Sequence, residues 1–220
     1  MKAFHVTMLL FGLLCTSATL ADTPDGATLA RQGNGHGVAP CMACHGADGG
    51  GQAAAGFPRL AGLSQTYLRK QLDDFVDGSR TNATMQPIAT ELSGAERDAV
   101  ATYYSKLPVP SAQSANAPAG DEAQLAQTLA RRGRWSKGLP ACEQCHGPSG
   151  VGVGDHFPAL AAQSSVYLSN ELHAWQQGSR HNDPLQLMQA VTSKLSDNDI
   201  NAISAWYAAQ PLALPKEGQP

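Results

Sequence analysis

Two five-residue segments carry the chemistry of this 220-residue chain: Cys41-Met42-Ala43-Cys44-His45 and Cys142-Glu143-Gln144-Cys145-His146. Two cysteines three apart on a helical turn present both sulfurs to one side. There they can add as thioethers to the two vinyl groups of a haem. The histidine that follows points its imidazole at the iron from beneath the ring. Each motif therefore predicts one covalently attached haem c, with Cys41, Cys44, Cys142 and Cys145 as attachment points and His45 and His146 as iron ligands. A dithiol redox site would need a βαβ setting, which the sequence lacks. A zinc site would need four ligands at tetrahedral angles, and each motif offers three crowded ones.

The second axial ligand follows by elimination. Of the five methionines, Met1 and Met8 fall in the N-terminal segment, leaving Met42, Met85 and Met188. Met42 sits inside a C-x-x-C loop on the histidine side of the ring. Met85 and Met188 remain, one per motif, each seven residues before a leucine, Leu92 or Leu195. Both are placed in loops after a helix; the alternative is that each simply fills core space. His/Met ligation raises the potential and occupies both axial positions, which suits electron transfer and leaves no site for substrate or oxygen. An enzymatic role is therefore not expected. His36, His156, His173 and His181 have no counterpart at matched positions and read as surface or loop residues. His181, close in sequence to Met188, is the competing ligand for the second iron.

Composition sets the compartment and excludes other classes. Lys2 precedes the apolar run Met8-Leu9-Leu10-Phe11-Gly12-Leu13-Leu14, and Thr19-Leu20-Ala21 supplies small residues at a cleavage position. This reads as a signal peptide over residues 1–21, directing export to the periplasm, with retention as an anchor the alternative. The run is short for a bilayer core of roughly 30 Å. Cys15 leaves with it, so the four remaining cysteines belong to the two motifs. Lys2 also leaves, and 14 basic against 18 acidic residues give a mature charge near −4. No basic stripe of a nucleic-acid binder is present.

The elements that must position these residues come in two copies. Residues 57–80, FPRLAGLSQTYLRKQLDDFVDGSR, match residues 157–180, FPALAAQSSVYLSNELHAWQQGSR, at 11 of 24 positions without a gap. The motifs repeat at an offset of 101, and Met85/Met188, Leu92/Leu195 and Tyr103/Trp206 at 103. The expected organisation is one domain over residues 22–107, a Pro/Ala/Ser linker over 108–120, and a second domain over 121–220. Each copy reads as helical. Ser64 caps a helix with Tyr67, Leu68, Leu72, Phe75 and Val76 on one face, ended by Gly78. Ser164 or Ser165 starts its partner through Tyr167, Leu168, Leu172 and Trp175, ended by Gly178. Ser93-Gly94-Ala95-Glu96 opens a last helix through Val100, Tyr103 and Tyr104. Ser196 to Asp199 opens its counterpart through Ile200, Ile203, Trp206 and Tyr207. First helices run through Leu29 and through Leu125 and Leu129. No period-two alternation appears, so the fold class is all-α: two tandem helical domains, each wrapped around one haem that completes a core too small to stand alone.

Together these segments resemble the dihaem cytochromes c of the cytochrome c4 type. The resemblance rests on CMACHGADG and ACEQCHGPSG, FPRLAG and FPALAA, the YL-x-x-x-L segments before GSR, and the Leu-Ser elements before the last helices. It implies that the carbonyls of Pro58 and Pro158 accept a hydrogen bond from the ligating histidines. It makes Arg80 and Arg180 candidates for propionate or interdomain contacts, with a solvated role the alternative. It implies a periplasmic electron carrier between a quinol-oxidising complex or dehydrogenase and a terminal oxidase. The alternative is a cytochrome subunit fixed to a membrane or periplasmic dehydrogenase. The second copy departs from the first by three extra residues before Met188, with Leu185 where some relatives carry methionine. Arg131, Arg132, Arg134 and Lys137 against Asp73, Asp74 and Asp77 suggest either a charge dipole that orients the protein on partners or two solvated faces.

Overall fold

The computed structural model describes residues 24–110 and 117–212. The expected signal peptide and residues 111–116 of the expected linker lie outside them. Ten α-helices form two successive sets of five, and the described residues contain isolated β-bridges but no strand. The first set is α1 (Gly26–Gln32), α2 (Met42–His45), α3 (Gln65–Asp77), α4 (Met85–Thr90) and α5 (Gly94–Ser105). The second is α6 (Gly120–Arg131), α7 (Glu143–His146), α8 (Ser165–Gln177), α9 (Leu187–Thr192) and α10 (Asp197–Ala209).

Helix ends follow the side-chain chemistry. Ser64 and Ser164 accept from the N–H groups of Tyr67 and Tyr167, and Gly78 and Gly178 end the same helices at φ +82° and +75°, where a β-carbon would be strained. Ser93/Glu96 and Ser196/Asp199 form reciprocal capping boxes at α5 and α10. The last helix of each set lies across the first: α5 on α1 and α10 on α6. Gly26 permits the first crossing, because a β-carbon there would lie 2.2 Å from the Ala99 carbonyl oxygen. Leu129, Ala130, Leu139, Leu168, Ile203 and Tyr207 make the second-domain core, and Ala30, Leu63, Leu68, Ala101 and Tyr104 its first-domain equivalent.

Three local expectations are corrected. Val76 is exposed, and the face of α3 that is buried carries Gln71 and Asp74 beside Leu68 and Phe75. The polar pair is buried because this face meets the second domain, where it finds partners. Met85 and Met188 begin short helices (first residue of α4, second of α9) instead of lying in loops. Asn82 accepts from the Met85 N–H at 2.9 Å and Asp183 from the Met188 N–H at 2.5 Å, short-range bonds that a hydrophobic period does not reveal.

The two domains pack face to face. Arg80 and Arg180 pair as an antiparallel bridge, with Thr81 donating to the Ser179 carbonyl at 2.8 Å and His181 to the Ser79 carbonyl at 2.8 Å. Gln163, buried, accepts from the Arg59 N–H at 2.8 Å and donates to the Arg59 carbonyl at 3.1 Å. Buried main-chain groups satisfied across a domain boundary make separation costly.

Candidate haem sites

In each domain a single helical turn carries the attachment motif. Cys41 and Cys142 precede α2 and α7 in helical conformation, and Cys44 and Cys145 lie one turn on. No disulfide joins them. Glycine at φ +79° (Gly46) and +76° (Gly147) then turns the chain back, and the His45 and His146 carbonyls accept from Gly51 and Gly152 at 2.8 and 2.7 Å. The returning loop brings Pro58 and Pro158 beneath the histidines. His45 Nδ1 donates to the Pro58 carbonyl at 3.0 Å, and His146 Nδ1 to the Pro158 carbonyl at 2.9 Å. A carbonyl can only accept, so this contact fixes the tautomer and leaves Nε2 as the free lone pair, the form a metal requires. Burial holds both imidazoles below their ordinary pKa, which reinforces the neutral state. Phe57 and Phe157 pack edge-on against the rings at 6.5 and 6.2 Å.

Above His146 opens a cavity of about 430 Å³, within the range of roughly 300–1,000 Å³ typical of sites that bury an organic cofactor. Cys142, Cys145, His146 and Met188 all line it, between apolar walls that include Leu168 and Trp175. It runs to the domain interface, where Tyr67 and Gln71 of the first domain close its far end. His181 is exposed, its Nδ1 3.1 Å from the Gly178 carbonyl, and the lining includes Met188 but not His181. Leu185, in the three-residue insertion, is 95% exposed at φ +120°, followed by Gln186 at φ +54°. The insertion thus folds as an outward bulge, with Leu185 and the half-buried Met188 both bordering the cavity.

The interface end is polar and charged. Arg80 donates to Tyr167 at 2.9 Å and pairs with Glu171 at 2.9 Å; Arg180 pairs with Glu171 at 2.6 Å and donates to Gln71 at 3.0 Å. Lys70 bonds Asp74 and the Asn182 carbonyl, and Asn182 bonds Asp74. Arg59, 2% exposed, donates to the Ala61 and Ala161 carbonyls but meets no carboxylate, and its Nε has no partner. Burial lowers its pKa to about 10. Arg59, Lys70, Arg80 and Arg180 thus gather at the interface with Asp74 and Glu171, while Asp155 and Asp183 also line the cavity. A slot with apolar walls, and with thiols and imidazole at one end, fits a haem, whose propionates the arginines at the interface could meet.

The sequence had pointed to Arg80 and Arg180 but missed Arg59, Gln163, Gln71 and Glu171. The available signal lay in mismatches of the repeat: Arg59 against Ala159, Leu63 against Gln163, Gln71 against Glu171. The expected charge dipole is largely neutralised locally. Asp73 pairs with Arg69 and Arg97, Asp74 with Lys70, and Arg134 with Asp199.

Two helical units in tandem, each with an attachment turn under a carbonyl-held histidine, define a c-type haem protein with two covalent sites. The chain belongs to the cytochrome c family, whose model matches residues 26–108 and again 125–208. It is 52% identical over 179 residues to a thiosulfate dehydrogenase electron acceptor of Thiomonas intermedia, covering 81% of this chain and 82% of that protein. It is 40% identical over 173 residues to cytochrome c4 of Pseudomonas aeruginosa, covering 77% and 83%. Among solved structures, thiosulfate dehydrogenase (TsdBA) from Marichromatium purpuratum superposes with a TM-score of 0.80 at 43% identity. That match covers 85% of this chain, which spans 40% of the longer one. The chain is thus a dihaem cytochrome of the c4 type, with two haem c groups attached at Cys41/Cys44 and Cys142/Cys145, and it serves electron transport.

Proposed function

We propose that this protein is a periplasmic electron acceptor and carrier: it takes single electrons from a dehydrogenase and delivers them onward, without turning over a substrate itself. The observation that supports this reading is that His146 and Met188 line one apolar cavity with the attachment cysteines. In this reading His45 and Met85 hold the first iron, and His146 and Met188 the second. The haem supplies a one-electron couple. The chain's own residues fix the imidazoles through Pro58 and Pro158, fill the sixth positions with thioethers, and exclude water with apolar walls. No described helix is long and apolar enough to cross a membrane.

The donor we favour is a thiosulfate-oxidising dehydrogenase, because the 52% identical relative carries that partner in its name. A fixed complex is favoured over purely diffusional exchange, since this chain matches 40% of a single longer chain described as such a dehydrogenase. Onward transfer to a terminal oxidase follows the resemblance to carriers of the c4 type. Stopped-flow mixing of the oxidised protein with a thiosulfate dehydrogenase and thiosulfate tests the donor: rapid reduction of both haems is expected, against negligible reduction by thiosulfate alone. Gel filtration of the pair separates a stable complex from transient contact. Met85→Ala and Met188→Ala should each remove about half of the far-red band that ferric haem shows with methionine bound. Full retention in either variant, or rapid peroxide turnover by the wild type, would refute closed His/Met sites.

A further inference from the structure

Each domain rests a short loop before its attachment motif on the chain that follows its fourth helix, and the charge at that contact is inverted between the copies. In the first domain the loop is Asn34-Gly35-His36-Gly37. The Asn34 side chain accepts from the His36 and Val38 N–H groups at 2.9 and 3.1 Å and donates to the Glu91 carbonyl at 3.1 Å. A β-carbon on Gly37 would lie 3.8 Å from the Glu91 carboxylate. In the second domain the loop is Trp135-Ser136-Lys137-Gly138, and the Lys194 ammonium donates to the Gly138 carbonyl at 2.7 Å. The offsets of the repeat match Gly138 to Gly37, Lys194 to Glu91, Lys137 to His36 and Trp135 to Asn34. A polar loop beside an acid is replaced by an aromatic, basic loop beside a lysine.

The second loop is closed and joined to the haem site. Arg134 and Leu139 pair as an antiparallel bridge at 2.7 and 3.2 Å, and inside it Lys137 donates to the Arg134 carbonyl at 2.8 Å and Gly138 to the Trp135 carbonyl at 2.9 Å. Leu139 and the three residues after it, Pro140, Ala141 and Cys142, line the second-domain cavity. Trp135 is nevertheless 63% exposed. An indole held in water by a closed loop contributes little to the core of its own chain, and tryptophan is enriched among the residues that anchor interfaces. Arg131 and Arg134 face Glu143 and Asp199, but the exposed Arg132, Lys137 and Lys194 form no ion pair among the described residues. The exposed carboxylate of Asp197, at the start of α10, offsets one of these three charges. The surface around Trp135 is therefore cationic on a chain whose mature charge is negative.

We propose that Trp135, with Arg132, Lys137 and Lys194, is the docking surface for the electron-donating dehydrogenase, which meets it with an acidic rim around an apolar recess for the indole. The inference rests on the electron-acceptor reading and adds the face that the donor uses. Charge complementarity sets the partner's sign, and the first-domain loop, with Glu91 in the place of Lys194, disfavours the same acidic face. The two parts of the surface have separable effects. Exposed cations steer the encounter and act on the association rate, with a strong dependence on salt. A buried indole holds the complex and acts on the dissociation rate.

The experiment measures binding of the oxidised holoprotein to an immobilised thiosulfate dehydrogenase at low and high salt. Arg132→Glu/Lys137→Glu should slow association about tenfold or more at low salt and flatten its salt dependence. Trp135→Ala should speed dissociation about tenfold or more at either salt concentration. Arg31→Glu/Lys106→Glu makes the same change in net charge at exposed positions of the first domain and should leave both rates nearly as they are. Far-ultraviolet circular dichroism checks that each variant is folded. The proposal is overturned if the two double variants act alike, or if Trp135→Ala changes dissociation by less than about twofold. It is also overturned if salt-sensitive dimerisation, or binding to vesicles of anionic phospholipid, is found in the wild type and lost in Trp135→Ala, since the occupant is then a second copy or a membrane. If the wild type neither binds the dehydrogenase nor is reduced by it, the donor reading fails instead. The surface is then decided by proton NMR with hexacyanochromate(III): broadening of the Trp135 indole signal well beyond that of the His36 ring upholds a site for an acidic partner, and equal broadening overturns it.

Discussion

Gln163 offers the sharpest test of how the domains are held together. Its side-chain amide imitates a strand partner: it accepts from the Arg59 N–H at 2.8 Å, donates to the Arg59 carbonyl at 3.1 Å, and accepts from the Ser164 N–H at 3.0 Å. Gln163 is 4% exposed and Arg59 2%, so water does not replace these bonds without opening the interface. Gln163→Met keeps the length and most of the volume while removing every hydrogen bond. A buried main-chain group left without a partner costs roughly 1–3 kcal/mol. Three groups are affected, and partial relaxation brings the expected loss to about 3 kcal/mol. Urea denaturation of the holoprotein, followed by far-ultraviolet circular dichroism, should show a lower midpoint at unchanged slope. Hydrogen exchange at the Arg59 amide should change from protected to fast in the same variant. A loss below about 1 kcal/mol with Arg59 still protected would refute the argument that this amide clamps the interface.

Two further predictions concern the second domain. Asp199 receives both guanidinium N–H groups of Arg134, at 2.6 and 3.0 Å, besides closing the capping box of α10, and its carboxyl is pushed down to about 2, chiefly by Arg134. A depressed carboxyl contributes stability that is present above its unfolded pKa near 3.9 and lost as pH falls through the folded value. Asp199→Asn should therefore cost about 2 kcal/mol at pH 7 and progressively less between about pH 4 and 2, as acid titrations of both proteins would show; a difference independent of pH would count against the pairing. Gly150 has φ +74°, and a β-carbon there would lie 2.5 Å from the buried Tyr207 ring. Gly178 has φ +75° with open space around it. Gly150→Ala should cost about 3 kcal/mol and Gly178→Ala about 1, since overpacking adds to the same backbone strain. Equal thermal shifts in the two variants would show that Tyr207 yields.

What the sequence made legible was whatever the two copies share. The attachment turns, the capping serines, the terminating glycines and the matched methionines are local or repeated, and hydrophobic period with repeat offset suffices to find them. Pro58 and Pro158 entered through family resemblance, and the structure puts their carbonyls 3.0 and 2.9 Å from the histidine nitrogens. The face of α3 misled because Gln71 and Asp74 break an apolar stripe, and that reads as solvent exposure. Their partners, Arg180 and Asn182, lie more than a hundred residues away. No local pattern encodes such a pairing.

The unshared positions carry a different kind of information. Arg59, Gln163 and Glu171 are all departures from the repeat and all lie at the buried face that the domains share. Gln163 uses its departure to lock the pair mechanically through the Arg59 main chain, and Glu171 uses its own to bridge Arg80 and Arg180. The positions at which the copies differ are therefore the ones that join them, so Glu171→Gln should weaken the interface as Gln163→Met does, read as a lower urea midpoint.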